Sequence, residues 1–122
     1  MHEFGIARTL LETAERQARQ HGAGRILEVR CRVGVLQPII PELLTEAFRC
    51  LADASGHAGA RLRIERVPVA IRCRRCGQST SSLDWQINCP GCGSFDVQVD
   101  GGQELELVGL TAEASDADRG AA

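Results

Sequence analysis

The sequence predicts an α+β domain that is interrupted by a small four-cysteine unit. Two amphipathic helical segments alternate with strand-like segments before residue 71, and four cysteines then form two closely spaced pairs. A short strand-like segment follows the cysteines, which indicates that the chain returns to the sheet that it left. We therefore expect two helices on one face of a small mixed sheet, with the four-cysteine unit inserted into this domain.

The first helix is predicted from apolar residues that recur at helical spacing over 4–20, and Gly22 follows its end. A second amphipathic helix follows the turn that Pro38 and Pro41 bracket, and it stops at Gly56. Each helix has one apolar face and one charged face, so each is expected to bury one side against the sheet.

Three segments alternate apolar and polar residues in the way that is typical of strands with one buried face. The first covers 27–33, the second begins at Arg61, and the last is the short segment 104–107. The apolar positions of the second segment change parity at 65–66, so we expect a bulge there or an exit from the sheet. Pro68 favours an edge strand or an exit.

These segments divide the chain into three parts. Residues 1–70 together with 103–110 are predicted to form the α+β domain, and residues 71–102 the four-cysteine unit. The tail 111–122 is small, polar and acidic, and we expect it to be disordered because it has too little apolar surface to order itself.

Two C-x-x-C pairs, separated by twelve residues and each followed by a glycine, are formed by Cys73, Cys76, Cys89 and Cys92. A two-residue spacer lets both thiolates of a pair bind one ion at about 2.3 Å, and the glycine permits the tight turn. The inserted unit is therefore predicted to be a zinc ribbon with structural Zn(II). Four protein ligands leave no open coordination position, so we predict no catalytic residue and do not expect an enzyme.

Composition limits the possible partners and the compartment. The 122 residues carry a formal net charge of −2, from 14 basic and 16 acidic residues, which gives no general attraction to nucleic acid or to an anionic membrane. The amino-terminal residues lack a signal-peptide core, and no apolar run approaches the length that spans a membrane. We expect a cytoplasmic protein whose six cysteines stay reduced.

The amino terminus is a second candidate metal site. The backbone amine of Met1, the amide nitrogen of His2 and its imidazole can close fused chelate rings on one ion, and planar nitrogen coordination suits Ni(II) or Cu(II). Glu3 is expected to supply a further ligand or to orient the imidazole. A histidine at position 2 is weak evidence by itself, because most exposed terminal histidines bind nothing.

The sequence resembles the HypA/HybF family of hydrogenase maturation proteins, which are nickel metallochaperones. The likeness covers nearly the whole chain, to about residue 110. Besides the two C-x-x-C pairs, it rests on Met1-His2-Glu3, Ile6-Ala7, Val33-Gly34, Ala47-Phe48 and Gly101-Gly102-x-Glu104-Leu105. This ordered combination is far more specific than any one of its elements.

The resemblance implies that Ni(II) is transient cargo, held by His2 and the adjoining backbone nitrogens with assistance from Glu3, while the four cysteines hold structural zinc. It implies delivery to the large-subunit precursor of a [NiFe] hydrogenase, with a HypB-type GTPase as partner and the chain acting as a monomer or homodimer. One departure is Gly5, where family members more often carry a serine, so we expect a looser helix entry.

An alternative interpretation is a nucleic-acid-binding or regulatory zinc ribbon. Arg72, Arg74 and Arg75 cluster at the first cysteine pair, and Trp85 is able to stack on a base. The negative charge and an aromatic content of only 3% argue against it. We expect instead that Trp85 and Phe95 form the small core of the ribbon.

The remaining cysteines and histidines are not expected to carry function. Cys31 and Cys50 lie near apolar faces and are predicted to be packed, inert thiols. His21 falls in the last turn of the first helix. His57 lies in a glycine-flanked loop, where an ordinary loop role is favoured over that of an auxiliary metal ligand.

Overall fold

The structure is a computed structural model that describes residues 2–114. Two helices and two three-stranded sheets are present, with the strand orders β2-β1-β6 and β4-β3-β5. The elements are α1 (His2–Gln20), β1 (Ala23–Gly34), α2 (Pro41–Ala54), β2 (Arg61–Val67), β3 (Val69–Cys73), β4 (Ser79–Ser82), β5 (Val97–Gly101) and β6 (Leu105–Ala114). The predicted α+β class with two helices is confirmed, although the strands form two small sheets and not one.

The described residues form two compact units. The first unit contains residues 2–31, 39–64 and 107–114, and the second contains Arg32–Pro38 and Glu65–Glu106. The predicted four-cysteine segment 71–102 lies inside the second unit. No helix within 2–114 is long and apolar enough to cross a membrane.

The first unit is built around the contact between α1 and α2. Both helices bury one apolar face, as their periodicity predicts. The residues that line this core include Leu10, Leu11, Ala14, Ile26, Val29, Leu44 and Phe48. Helix α1 begins at His2, two residues before the predicted start, so Gly5 lies inside the helix and not at its entry.

Strand β2 ends at Val67, and the chain then enters the other sheet as β3. Strand β2 continues through 65–66, so the chain leaves this sheet after the parity change and not at it. The exit is at Pro68, which stands between the strands and was expected to favour an edge strand or an exit. Strand β3 pairs antiparallel with both β4 and β5, and its pairing with β5 is irregular at Ala70/Ile71.

The predicted start of the disordered tail, residue 111, is wrong, because β6 continues to Ala114. Side chains of β1 hold the strand in this region: Arg25 pairs with Glu113 at 2.8 Å, and Arg30 donates to the Thr111 hydroxyl at 3.1 Å. These hydrogen bonds supply what the small, polar residues lack in apolar surface. The rest of the predicted tail, 115–122, lies outside the described residues.

The predicted ribbon core of Trp85 and Phe95 is also wrong. Trp85 is 63% exposed and Phe95 is 74% exposed. Both lie in segments without regular structure, whereas Val69 and Ile71 of β3 and the sulfur-bearing Cys73 and Cys89 are buried. The interior of the second unit is therefore filled by the central strand and by cysteines, with the large aromatic side chains outside.

Gly34 and Gly102 lie where two backbone segments of the second unit approach each other closely. A Cβ atom on Gly34 would overlap the carbonyl of Gly102, whose φ is 108°. The absence of side chains there lets Gly34 donate its N–H to Glu104 at 2.7 Å and lets Leu36 donate to Gly102 at 2.7 Å. The chain therefore returns from the four-cysteine segment through backbone contacts that only glycine permits.

Candidate metal sites

The four predicted cysteines come together in the second unit. Their sulfur atoms all lie within 4.8 Å of one another, and the Cys73–Cys92 and Cys76–Cys89 sulfur pairs are each 3.6 Å apart. Four sulfurs bound at about 2.3 Å to one tetrahedral ion lie about 3.8 Å from each other. The cluster therefore has the dimensions of a closed four-thiolate metal site.

Each cysteine pair is shaped by the same turn. Gly77 donates its N–H to the carbonyl of Cys73 at 2.9 Å, and Gly93 donates to Cys89 at 2.7 Å. Both glycines have positive φ, 80° and 78°, which side chains strongly disfavour. In each pair the first cysteine is buried and the second is exposed, so one face of the cluster is open to solvent.

Backbone amides favour thiolates at the two buried cysteines. The N–H of Cys76 lowers the pKa of Cys73 to about 6, and the N–H of Cys92 lowers the pKa of Cys89. Although the N–H of Gln78 lowers the pKa of Cys76, the Cys89 sulfur and desolvation raise it to about 11. Metal binding would displace the protons that remain, because the thiolate is the ligand.

The amino-terminal candidates lie in the first unit. His2 is the exposed first residue of α1, and Met1 lies outside the described residues. The Glu3 carboxylate accepts the N–H of Ile40 at 3.1 Å, and this bond is the chief reason that the pKa of Glu3 is lowered. Ile40 directly precedes α2 and has no side-chain cap of its own. Glu3 therefore ties the first turn of α1 to the start of α2.

An apolar groove lies beside this first turn. Phe4, Leu43, Ala47 and Cys50 line it together with two glutamates, and its volume is about 280 Å³. The prediction that Cys50 is packed is wrong, because Cys50 is exposed on this groove. The prediction for Cys31 is confirmed: it is fully buried, and burial raises its pKa to about 11.

His57 has a structural role that sequence reasoning missed. Its Nδ1 accepts the N–H of Ile26 at 3.0 Å, and its Nε2 lies 2.9 Å from the carboxylate of Glu15, to which the neutral ring donates. Both ring nitrogens are therefore occupied, which leaves none for an auxiliary metal ligand. No local pattern signals this contact, because Glu15 is 42 residues away on the predicted polar face of α1.

Two of the three arginines at the first cysteine pair, Arg72 and Arg74, have partners within the second unit. Arg74 lies 3.3 Å from the Asp96 carboxylate, and Arg72 donates to the Gln98 side chain at 2.8 Å. Side chains that already have protein partners are poorer candidates for contacts with phosphate. The arrangement favours a solvated, internally paired surface over a nucleic-acid site.

Comparison with known proteins places the chain in a family. The family described as "Hydrogenase/urease nickel incorporation, metallochaperone, hypA" matches residues 1–112. The chain belongs to this family. Its relatives include the hydrogenase maturation factor HypA of Aquifex aeolicus, 34% identical over 93% of this chain and 98% of the relative. The factor of the same name from Deinococcus radiodurans is 39% identical over 88% of this chain and 89% of the relative.

Solved structures of the family share the fold. The solution structure of the Ni metallochaperone HypA from Helicobacter pylori has a TM-score of 0.63 and 23% identity, and it covers 93% of this chain and 98% of that one. A second solution structure of a HypA protein has a TM-score of 0.65 and 24% identity. The predicted membership of the HypA/HybF family is confirmed.

Proposed function

We propose that this chain carries Ni(II) at its amino terminus and delivers it to the large-subunit precursor of a [NiFe] hydrogenase, while zinc bound by the four cysteines holds the second unit. Membership of a nickel-incorporation family supports the cargo, and the names of the relatives support hydrogenase as the client. The observation that carries the proposal is the position of His2, exposed at the first residue of a helix whose first turn is anchored.

The nickel ligands proposed are the amine of Met1, the amide nitrogen of His2 and its imidazole. The first amides of a helix have no carbonyl partner within it, so the His2 amide can bind metal without breaking a helical hydrogen bond. Glu3 is already engaged by Ile40. We therefore assign Glu3 an assisting role, in which it keeps the first turn in place beside the ligands.

Zinc is proposed for the cysteine cluster because four thiolates at tetrahedral spacing are its usual structural ligands. When bound, zinc supplies a fixed crosslink and no chemistry of its own. The two C-x-x-C turns already hold the sulfurs near their final separation, and the Cys76 and Cys92 amides point at the buried sulfurs. Little rearrangement is then needed to load the metal.

Delivery is proposed to proceed by ligand exchange, without covalent chemistry and without catalysis by this chain. An exposed terminal imidazole can be replaced stepwise by ligands of an acceptor, whereas four thiolates release their ion reluctantly. A HypB-type GTPase is the proposed partner, and the cytoplasm the proposed compartment. The family description also names urease, which makes a second nickel enzyme a further candidate client.

Nickel titration of the zinc-loaded protein tests this proposal. His2→Ala is expected to abolish nickel binding in calorimetry while zinc content and helicity stay unchanged. His21→Ala is the matched control, because His21 is an exposed histidine directly after the end of α1, and its ring lies 2.9 Å from the Gln17 carbonyl. Acetylation of the Met1 amine should have the same effect as His2→Ala. Unchanged nickel stoichiometry in either blocked form would overturn the proposed site.

A further inference from the structure

Gln78 contacts the cysteine cluster in three ways. Its carbonyl accepts the N–H of Cys73 at 2.9 Å, and its own N–H is directed to the Cys76 sulfur. Its side-chain Oε1 lies 3.9 Å from the sulfur of Cys89, which belongs to the other pair. The backbone of Gln78 thus serves the first C-x-x-C pair, and its side chain reaches the second.

Gly91 makes this reach possible. A Cβ atom on Gly91 would overlap Oε1 of Gln78 and would lie 3.7 Å from the Cys89 sulfur. The side-chain amide therefore fills the space that a side chain at position 91 would occupy. Gly91 does not have the positive φ found at Gly77 and Gly93, so backbone conformation does not account for a glycine there.

Ser94 occupies the equivalent position of the second pair, but its side-chain contact differs from that of Gln78. Ser94 accepts the N–H of Cys89 on its carbonyl at 2.9 Å, just as Gln78 does for Cys73. Its hydroxyl, however, accepts the N–H of Asp96 at 3.0 Å and stays within its own turn. The two turns have the same backbone hydrogen bond but differ in their side chains. Of Gln78 and Ser94, the longer side chain, that of Gln78, reaches the other pair.

The sulfur of a metal-bound Cys89 is a thiolate, which has no proton and can only accept a hydrogen bond. The oxygen and nitrogen of a glutamine amide have nearly the same size, so half a turn about the last side-chain bond exchanges them. We propose that in the metal-loaded cluster the Gln78 NH₂ group donates to the Cys89 thiolate and slows metal loss.

This inference rests on the proposed zinc site and assigns Gln78 as its positioning residue. An amide donor would stabilise the negative sulfur, and the side chain would add a link between the two pairs beside the ion and the β3–β5 pairing. Hydrogen-bonding partners of metal ligands typically change metal affinity by about 10–100-fold. The effect of Gln78 should therefore be large enough to measure.

The first test is the rate at which the zinc-loaded protein transfers its metal to a chromogenic chelator at neutral pH. Gln78→Ala is expected to transfer about tenfold faster than wild type. Gln78→Glu should be faster still, because a carboxylate cannot donate and adds negative charge beside the thiolate. Gln98→Ala is the matched control, since its amide contacts Arg72 and Asp100 in the same unit and should leave the rate unchanged.

The second test uses Co(II) in place of zinc and reads the cluster by absorption. Gln78→Ala should keep the tetrahedral four-sulfur spectrum but shift the thiolate-to-cobalt band to longer wavelength, because the thiolate loses a stabilising donor. Gly91→Ala should displace the side chain and reproduce both effects, and the double variant should add nothing further.

The outcomes of these tests distinguish an error about Gln78 from an error about the proposed zinc site. Wild-type transfer rates and spectra in Gln78→Ala would overturn the role of Gln78 while leaving the zinc site intact. Slower transfer in that variant would overturn it as well. A wild-type protein that fails to bind one Co(II) with four-sulfur coordination would instead overturn the zinc site itself.

Discussion

The two units of this molecule bury different kinds of side chain. The largest fully buried side chains of the first unit are Phe48, Ile26, Leu44, Val29 and Cys31. Those of the second unit are Val33, Val69, Cys73 and Cys89. The first unit is thus held by a packed helical core, whereas half of the second unit's set consists of candidate metal ligands. Small units that lack an apolar core generally need a metal or another crosslink.

The two candidate metal sites also differ in how closely each is tied to the interior of its unit. Two of the four cysteines, Cys73 and Cys89, are part of their unit's interior, and backbone hydrogen bonds and two glycine turns hold the cluster. The amino-terminal site lies at the exposed end of a helix, outside the core of its unit. The surroundings of the two sites therefore suit the proposed roles, a structural metal at the cysteines and a cargo metal at the amino terminus.

Removal of zinc is expected to have the largest effect of any perturbation, and the effect should be confined to the second unit. Zinc binding in small zinc-finger peptides contributes on the order of 10–16 kcal/mol, so a strong chelator should unfold much of the second unit. Amide hydrogen exchange should show lost protection in β3, β4 and β5, whereas α1 and α2 remain protected.

The matched control for zinc removal is nickel removal, which should leave the exchange of both units unchanged. Protection that persists throughout β3–β5 after complete zinc loss would show that this sheet is stable by itself. The conclusion that the second unit depends on metal and the first does not would then be wrong, although the cysteine geometry would stand.

His57→Ala is expected to have an intermediate effect that is confined to the first unit. His57 is only 14% exposed in its side chain, and its loss leaves the Ile26 N–H without its present acceptor and Glu15 without its partner. An unsatisfied donor of this kind costs about 1–3 kcal/mol. Denaturant unfolding followed by helical circular dichroism should report this loss.

His21→Ala provides the control for His57→Ala, because His21 is exposed and its ring contacts the nearby Gln17 carbonyl at the end of α1. It should change the free energy of unfolding by less than about 0.5 kcal/mol. The zinc transfer rate should be the same in both variants. Equal stability of the two would mean that the buried contacts of His57 contribute nothing.

The sequence predicts best what is decided by neighbours along the chain. Helical spacing located both helices, and the C-x-x-C spacing located the cluster, because a short turn fixes both thiolates of a pair. Pro68 likewise indicated the exit after Val67. Each of these patterns spans only a few residues.

Contacts between distant segments were not predictable in this way. The bond from His57 to Glu15 and the reach of Gln78 to Cys89 join residues from different turns or elements. The usual burial of large aromatic residues favours an interior position for Trp85, but the buried side chains of the second unit include Val69, Cys73 and Cys89, and Trp85 is exposed. Strand β6 extends beyond its apolar residues because partners on β1 hold it.

Gly5→Ala is expected to have the smallest effect, and it tests the stability of the first turn of α1 in the first unit. Gly5 lies inside α1, and a Cβ atom there would meet nothing within 4 Å. Alanine is favoured over glycine inside a helix by about 0.5–1 kcal/mol, so the variant should be more stable by roughly that amount. Gly56→Ala is the control, since Gly56 also has open space but a φ of 85°, and it should be destabilised. Because Gly5 lies one turn from His2, a firmer first turn should also tighten nickel binding slightly without changing zinc transfer. Lower stability in Gly5→Ala would show that the amino-terminal turn is not helical in solution, and the proposed anchoring by Glu3 would lose its basis.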